Sequence, residues 1–129
     1  MRAVIDASVA LAYIQFEPGG ASFFDALAGG SVMSVVNIVE VAKRLRRNDV
    51  SEADIDVELA KLDELAVPFE LVHVPSFRQI LPHAKRANLS LADCACLATA
   101  RHMRLPALTA DKAWAEIAGD VGVEVLVVR

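Results

Sequence analysis

Short apolar runs alternate along the chain with segments of helical period. Ala3-Val4-Ile5 is a mostly β-branched run stopped by Asp6, which reads as a strand. Ser8 is placed to cap a helix over Val9 to Phe16. Glu17-Pro18-Gly19-Gly20 breaks that pattern, and Pro18 suits the start of a second helix reaching about Ala28. Val32-Met33-Ser34 reads as a brief strand and Val35 to Arg47 as a valine-rich helix. Ser51 caps a helix to Ala66, in which Ile55, Leu59, Leu62 and Ala66 recur at helical spacing. Phe69 to Val74 alternates like a strand, and Pro75 opens a helix toward Ala87 that Pro82 should interrupt. Ser90 caps Leu91 to Met103, and Ala107-Leu108-Thr109 is the next strand. Asp111 caps a short helix through Ala118, and Val123 to Val128 is the last strand.

Strands that are apolar throughout and alternate with helices predict an α/β fold, a parallel sheet covered on both faces. In open sheets of this kind ligands bind beyond the carboxyl ends of the strands. Asp6 ends the first strand and Asp111 lies just past Ala107-Leu108-Thr109, so two acids distant in sequence arrive at one rim.

Composition narrows the class. The 129 residues are 55% hydrophobic and 23% charged, which suits one folded domain over residues 1–129 and excludes disorder. The longest uncharged run, the 14 residues Ala26 to Val39, is too short and too polar for a membrane span. No signal peptide is legible at the start, so a cytoplasmic location is expected. Cys94 and Cys96 stand alone, without the second pair that a zinc site needs. The net charge of -4 is unevenly spread: Asp49 to Glu64 carries seven acids and one base, and the rest of the chain is weakly basic. A polyanionic substrate is therefore compatible with the balance and is not argued for by it.

Two further acids stand out by their surroundings. Glu40 sits in Val35-Val36-Asn37-Ile38-Val39-Glu40-Val41-Ala42, and Asp93 in Leu91-Ala92-Asp93-Cys94-Ala95-Cys96-Leu97. Both segments are apolar around most of a helix, and a buried carboxylate needs a cation or donors to compensate it. Each acid also has an ordinary role within reach. Asp6 suits a turn, Glu40 pairs with Arg44 one helical turn on, Asp93 completes a capping box with Ser90, and Asp111 is an N-cap. Brought to one rim, Asp6, Glu40, Asp93 and Asp111 would repel one another, and a hard divalent cation relieves that repulsion. Oxygen-only ligands favour Mg²⁺ or Mn²⁺ over zinc.

Val4-Ile5-Asp6-Ala7-Ser8-Val9, Ser34 to Val41, Leu89-Ser90-Leu91-Ala92-Asp93 and Leu108-Thr109-Ala110-Asp111-Lys112-Ala113-Trp114 resemble the successive motifs of the PIN-domain family. More narrowly, the chain resembles the VapC toxins of bacterial type II toxin–antitoxin pairs, over nearly its whole length. The resemblance implies a three-layer α/β/α fold with a central parallel sheet of about five strands and an acidic pocket at one edge. It implies a metal-dependent ribonuclease in which Asp6, Glu40, Asp93 and Asp111 are both the catalytic residues and the ligands of Mg²⁺, with Mn²⁺ as the alternative. Water activated by the metal would attack an RNA phosphodiester and leave a 5′-phosphate and a 3′-hydroxyl. Ser8 and Thr109 would stand behind the acids as hydroxyl donors. A VapB-like antitoxin would cover the pocket through an Arg or Lys that reaches the carboxylates, and the toxin would form a homodimer. Cys94 departs from the family pattern, where many relatives carry a basic residue after the aspartate.

Two other readings compete. A phospho-receiver-like signalling module is also doubly wound with acids at the strand ends, but Asp6 is followed by Ala7-Ser8 rather than a second acid, and Val123 to Val128 contains no lysine. A non-catalytic PIN-like scaffold would lack one of the four acids, and all are present. His73, His83 and His102 are dispersed and form no acid–base motif.

Overall fold

A computed structural model describes residues 1–128. The first strand, β1 (Val4–Ile5), lies at the middle of the sheet. On one side it pairs in parallel with β4 (Ala107–Thr109), which pairs with β5 (Val125–Val127). On the other side Ile5 N–H donates to the Val32 carbonyl and Val32 N–H to the Ala3 carbonyl. These bonds bring up β2 (Met33–Ser34), which pairs in parallel with β3 (Ala66–Val67). The spatial order is thus β3-β2-β1-β4-β5, with every pairing parallel. The chain leaves β1 toward one edge and later returns to the other, so a crevice opens beyond the carboxyl ends of β1 and β4.

The pleat sorts side chains into two cores. Ala3, Ile5 and Leu108 face a layer made by α1 (Ala7–Ile14), α2 (Gly20–Ala28), α3 (Val35–Arg47) and α4 (Glu52–Leu62). Val4 and Ala107 face the opposite layer of α5 (Val74–Ile80), α6 (Leu91–Met103) and α7 (Ala118–Val121). Trp114, fully buried, anchors the second layer with Ile117 and Leu97. Together the two layers and the sheet make the α/β/α sandwich. Among the described residues no helix is long and apolar enough to cross a membrane.

Several boundaries differ from those read off the pattern. Asp6, not Ser8, is the N-cap of α1, and that helix ends at Ile14 because Phe16 takes a left-handed φ of 56°. The second helix starts at Gly20, after Gly19 at φ 95°. The acidic helix stops at Leu62 and a 3₁₀ turn follows, so that Ala66–Val67 becomes β3 just before Pro68. Phe69 to Val74 is not a strand. Leu71 and Val72 are 85% and 53% exposed, while His73 turns inward, stacks on Phe69 and accepts the Glu70 N–H at Nδ1. The period-2 alternation there describes a 3₁₀ turn (Leu71–His73) leading into α5. Pro82 does interrupt the next helix, which gives way at Leu81 to a 3₁₀ turn. Helix α3 is less buried than its valines suggest, with Val39 66% exposed, whereas all residues from Cys94 to Ala100 in α6 are buried.

The crossing of α1 and α2 depends on Gly20. A Cβ there would meet the Ala12 carbonyl oxygen and Tyr13 Cα at 2.9 Å, both main-chain atoms that cannot swing away. Gly20→Ala is therefore expected to destabilise the chain by about 1–3 kcal/mol, against the usual gain of alanine over glycine in a helix. A lowered midpoint of urea unfolding checks the sign.

Candidate metal centre

Three carboxylates converge at the crevice beyond β1 and β4. Asp6, Glu40 and Asp93 each offer an oxygen within 4.8 Å of the other two. Asp6 is delivered by the end of β1, Glu40 by the inner face of α3 and Asp93 by the first turn of α6. Asp6 is buried, while Glu40 and Asp93 are half-buried.

Each acid keeps one oxygen tied and the other unclaimed. Asp6 Oδ2 accepts hydrogen bonds from Ser8 Oγ at 2.7 Å and Thr109 Oγ1 at 3.0 Å. Both hydroxyls are themselves oriented: Ser8 Oγ accepts the Ala110 N–H, and Thr109 Oγ1 accepts the Asp111 N–H. With those N–H groups on their lone pairs, the single hydroxyl protons are directed at Asp6. Ser8 is thus no cap; it and Thr109 hold the carboxylate from two sides, and Oδ1 is left for a ligand. Asp93 Oδ2 accepts the Ser90 N–H at 2.9 Å while Ser90 Oγ accepts the Asp93 N–H at 3.1 Å. The capping box and the site are therefore compatible: one oxygen caps and the second is spare. Glu40 Oε1 faces Arg44 at 3.6 Å, and Oε2 is buried with no hydrogen-bond partner.

The electrostatics record the crowding. Burial pushes the Asp6 carboxyl up to about 6, with the Asp93 and Glu40 charges adding to it and the Ser8 and Thr109 hydroxyls opposing. Burial and the charge of Asp93 raise Glu40, against Arg44, Lys43 and Arg47. Burial also raises Asp93, which the Ser90 hydrogen bonds and Arg44 counter and Asp111 reinforces. Burial lifts the neighbouring Cys94 thiol to about 11, so it is neutral at physiological pH and packs as an apolar group. Three mutually repelling carboxylates, each with a free oxygen and one of them an orphan in the interior, fit a hard divalent cation with oxygen ligands.

Asp111 stands outside this trio. It is exposed at the mouth of the same depression, and its Oδ1 accepts the Ala113 N–H as the N-cap of a 3₁₀ turn. The depression measures about 500 Å³ and is lined by Asp6, Ser8, Arg44, Asp93, Asp111 and Lys112.

Two residues at the site carried no usable signal in the sequence. Lys112 reaches the depression because it follows Asp111 at the strand-end rim, a position that the acid alone had marked. Asn37 is fully buried one turn before Glu40, and its Nδ2 donates to the Ala92 carbonyl at 3.1 Å. It ties α3 to α6 beside Asp93; its helical spacing from Glu40, Arg44 and Arg47 read only as a polar stripe. His73 and His102 pack edge to face on the α5–α6 side of the molecule, away from the carboxylates.

The sequence matches the family described as PIN domain over residues 3–120. No curated protein matches it. A crystal structure of VapBC2 from Rickettsia felis, bound to a DNA fragment from their promoter, contains a chain of similar fold. The TM-score is 0.74 at 11% identity, with 100% of both chains covered. A chain of FitAcB from Neisseria gonorrhoeae is similar with a TM-score of 0.69 and 18% identity, over 98% of this chain and 96% of that one. At these identities the likeness is one of fold.

Proposed function

The chain belongs to the PIN-domain family, and on that premise we propose that it is a divalent-metal-dependent ribonuclease, the toxin of a bacterial toxin–antitoxin pair. The observation that carries the reading is the convergence of Asp6, Glu40 and Asp93 on one point at the switch of strand order. The toxin role rests on the resemblance of its motifs to those of VapC proteins and on the fold likeness to the VapBC2 and FitAcB chains. A VapB-like antitoxin that covers the depression with a cationic side chain, and a homodimer, belong to the same proposal.

Mg²⁺, or Mn²⁺ in its place, would be held by the spare oxygens of Asp6, Glu40 and Asp93. When bound, such an ion acidifies water and offsets charge that develops on phosphoryl oxygens. The chain's own residues do the rest. Ser8 and Thr109 fix the Asp6 carboxylate, Ser90 fixes that of Asp93, and Asn37 holds the two helices that carry Glu40 and Asp93 together. Asp111 at the mouth is suited to orient water on the outer side of the reacting phosphate, and Lys112 beside it to meet an RNA phosphate.

The test is incubation of the purified protein with a cellular RNA pool in Mg²⁺, in Mn²⁺ and in EDTA. Cleavage in either metal that stops in EDTA, with 5′-phosphate and 3′-hydroxyl ends, is the expected result. Cleavage that persists in EDTA, or cyclic phosphate ends, refutes the proposed chemistry.

A further inference from the structure

Arg44 occupies an unusual position for a helix-surface arginine. Its guanidinium lies 3.6 Å from Glu40 Oε1, yet its side chain is 48% exposed. It lines the acidic depression on one side and, on the other, an adjoining groove of about 300 Å³. The two hollows share Ser8, Arg44 and Ala110, so they adjoin across these residues. The acidic end is lined by Asp6, Asp93 and Asp111, with a Glu40 oxygen within 4.8 Å of those of Asp6 and Asp93; the far end holds Arg47, Asn48 and Gln15, with Glu17 as its one acid among the described residues. Arg44 stands at the change of sign.

A cation beside Glu40 does two opposite things. It offsets repulsion among the carboxylates, and it opposes the arrival of a second, harder cation at the same oxygens. A side chain displaced from Glu40 lies beside the groove lined by Arg47, where a bound polyanion would attract it.

We propose that Arg44 is a tethered counter-ion that holds Glu40 while the divalent ion is absent and passes to an RNA phosphate in the adjoining groove when that ion binds. This rests on the ribonuclease reading and names the residue that couples its metal site to its substrate. Arg44 acts as a positioning residue at Glu40 and as a phosphate contact in the groove.

The experiment compares the full chain with Arg44→Gln, Arg44→Lys and Arg47→Gln. Mn²⁺ binding is measured by calorimetry without RNA. Binding of a single-stranded RNA dodecamer is measured by anisotropy in EDTA, and its cleavage by initial rates in Mn²⁺. Arg44→Gln is expected to bind Mn²⁺ about fivefold more tightly, because a nearby positive charge has gone. It is expected to bind the dodecamer in EDTA as the parent does, and to raise KM in Mn²⁺ about tenfold with little change in kcat, as a lost charge-assisted contact to substrate requires. Arg44→Lys, which keeps the positive charge, retains most of the parent's Mn²⁺ affinity and KM. Arg47→Gln weakens the dodecamer equally with and without metal. Mn²⁺ affinity that is unchanged or weaker in Arg44→Gln, or RNA binding weakened alike in both conditions, overturns the proposal. A parent chain that takes Mn²⁺ and holds the dodecamer without cleaving it overturns the ribonuclease reading alone, because the calorimetric comparison still decides what Arg44 does at Glu40.

Discussion

Asp6→Asn is expected to lower RNA cleavage by about a thousandfold or more while making the metal-free protein more stable. The two halves of this outcome come from one fact. Asp6 is an ionised group in a site where burial and two neighbouring carboxylates oppose its charge. Asparagine has nearly the same shape, and its side-chain oxygen can accept from Ser8 and Thr109 as Oδ2 does now. The hydroxyl pair therefore stays satisfied and no cavity opens. What disappears is the negative charge, and with it one of the three anionic groups proposed to hold the metal. A thousandfold loss corresponds to about 4 kcal/mol of transition-state stabilisation, a reasonable share for a metal that neutralises developing charge. The same deletion relieves the repulsion that raises Glu40 and Asp93, so the thermal midpoint in EDTA should rise by several degrees. Asp111→Asn provides the contrast. That side chain is exposed and lies outside the trio, and its loss should cost only about tenfold in rate, with no gain in stability. Cleavage rates beside melting curves in EDTA decide the matter. An Asp6→Asn protein that still cleaves, or one that is inactive because it has unfolded, defeats the argument.

The fold was legible wherever one physical cause dominated. The apolar strands Ala3-Val4-Ile5 and Ala107-Leu108-Thr109 are buried on both faces, so their composition alone marks them. Ser51 and Ser90 stand at helix starts and do cap them. Reading failed where two causes gave one pattern. Phe69 to Val74 alternates in polarity, yet Leu71 and Val72 face solvent because His73 and Phe69 take the interior positions of a 3₁₀ turn. Ala66 continues the spacing of Ile55, Leu59 and Leu62, but Pro68 two residues on favours extended chain, and tertiary pairing with Met33 settles β3 there. At the site, the trio of Asp6, Glu40 and Asp93 was visible because each acid interrupts an apolar segment. Asn37 and Lys112 were not, since a polar residue on a helix stripe or beside a cap has many ordinary explanations. The roles of Ser8 and Thr109 depend on a hydrogen-bond network that spans about a hundred residues of sequence, between Ser8 and Ala110 and between Thr109 and Asp6. No local pattern encodes that network.

The charge arrangement also sets how stability should depend on pH, and metal should oppose the trend. Asp6 has its proton held to about 6 in the folded chain, against 3.8 when exposed. Between those values the folded chain binds a proton that the unfolded chain has released, so stability falls as pH rises through the window. Glu40 and Asp93 are displaced in the same direction and add to the slope. For Asp6 alone the loss between about pH 4 and pH 7 amounts to roughly 2 kcal/mol. Asp120, held low by Arg86, works the other way, but it is fully exposed and well screened by solvent. In EDTA the protein should therefore be distinctly more stable near pH 5 than at pH 7.5. Saturating Mg²⁺ should oppose the trend, because the deprotonated carboxylates that repel one another would be its ligands. At a hundred times its dissociation constant a bound ion adds about 2.7 kcal/mol, and protons compete for the same oxygens as the pH falls. Urea unfolding at pH 5, 6 and 7.5, in EDTA and in Mg²⁺, should give two curves that converge at the acid end, the one in Mg²⁺ far flatter. In Asp6→Asn the EDTA curve should flatten and the Mg²⁺ gain should vanish. Parallel curves in the parent protein, or a Mg²⁺ gain as large at pH 5 as at pH 7.5, would mean that the ion is not bound by these carboxylates.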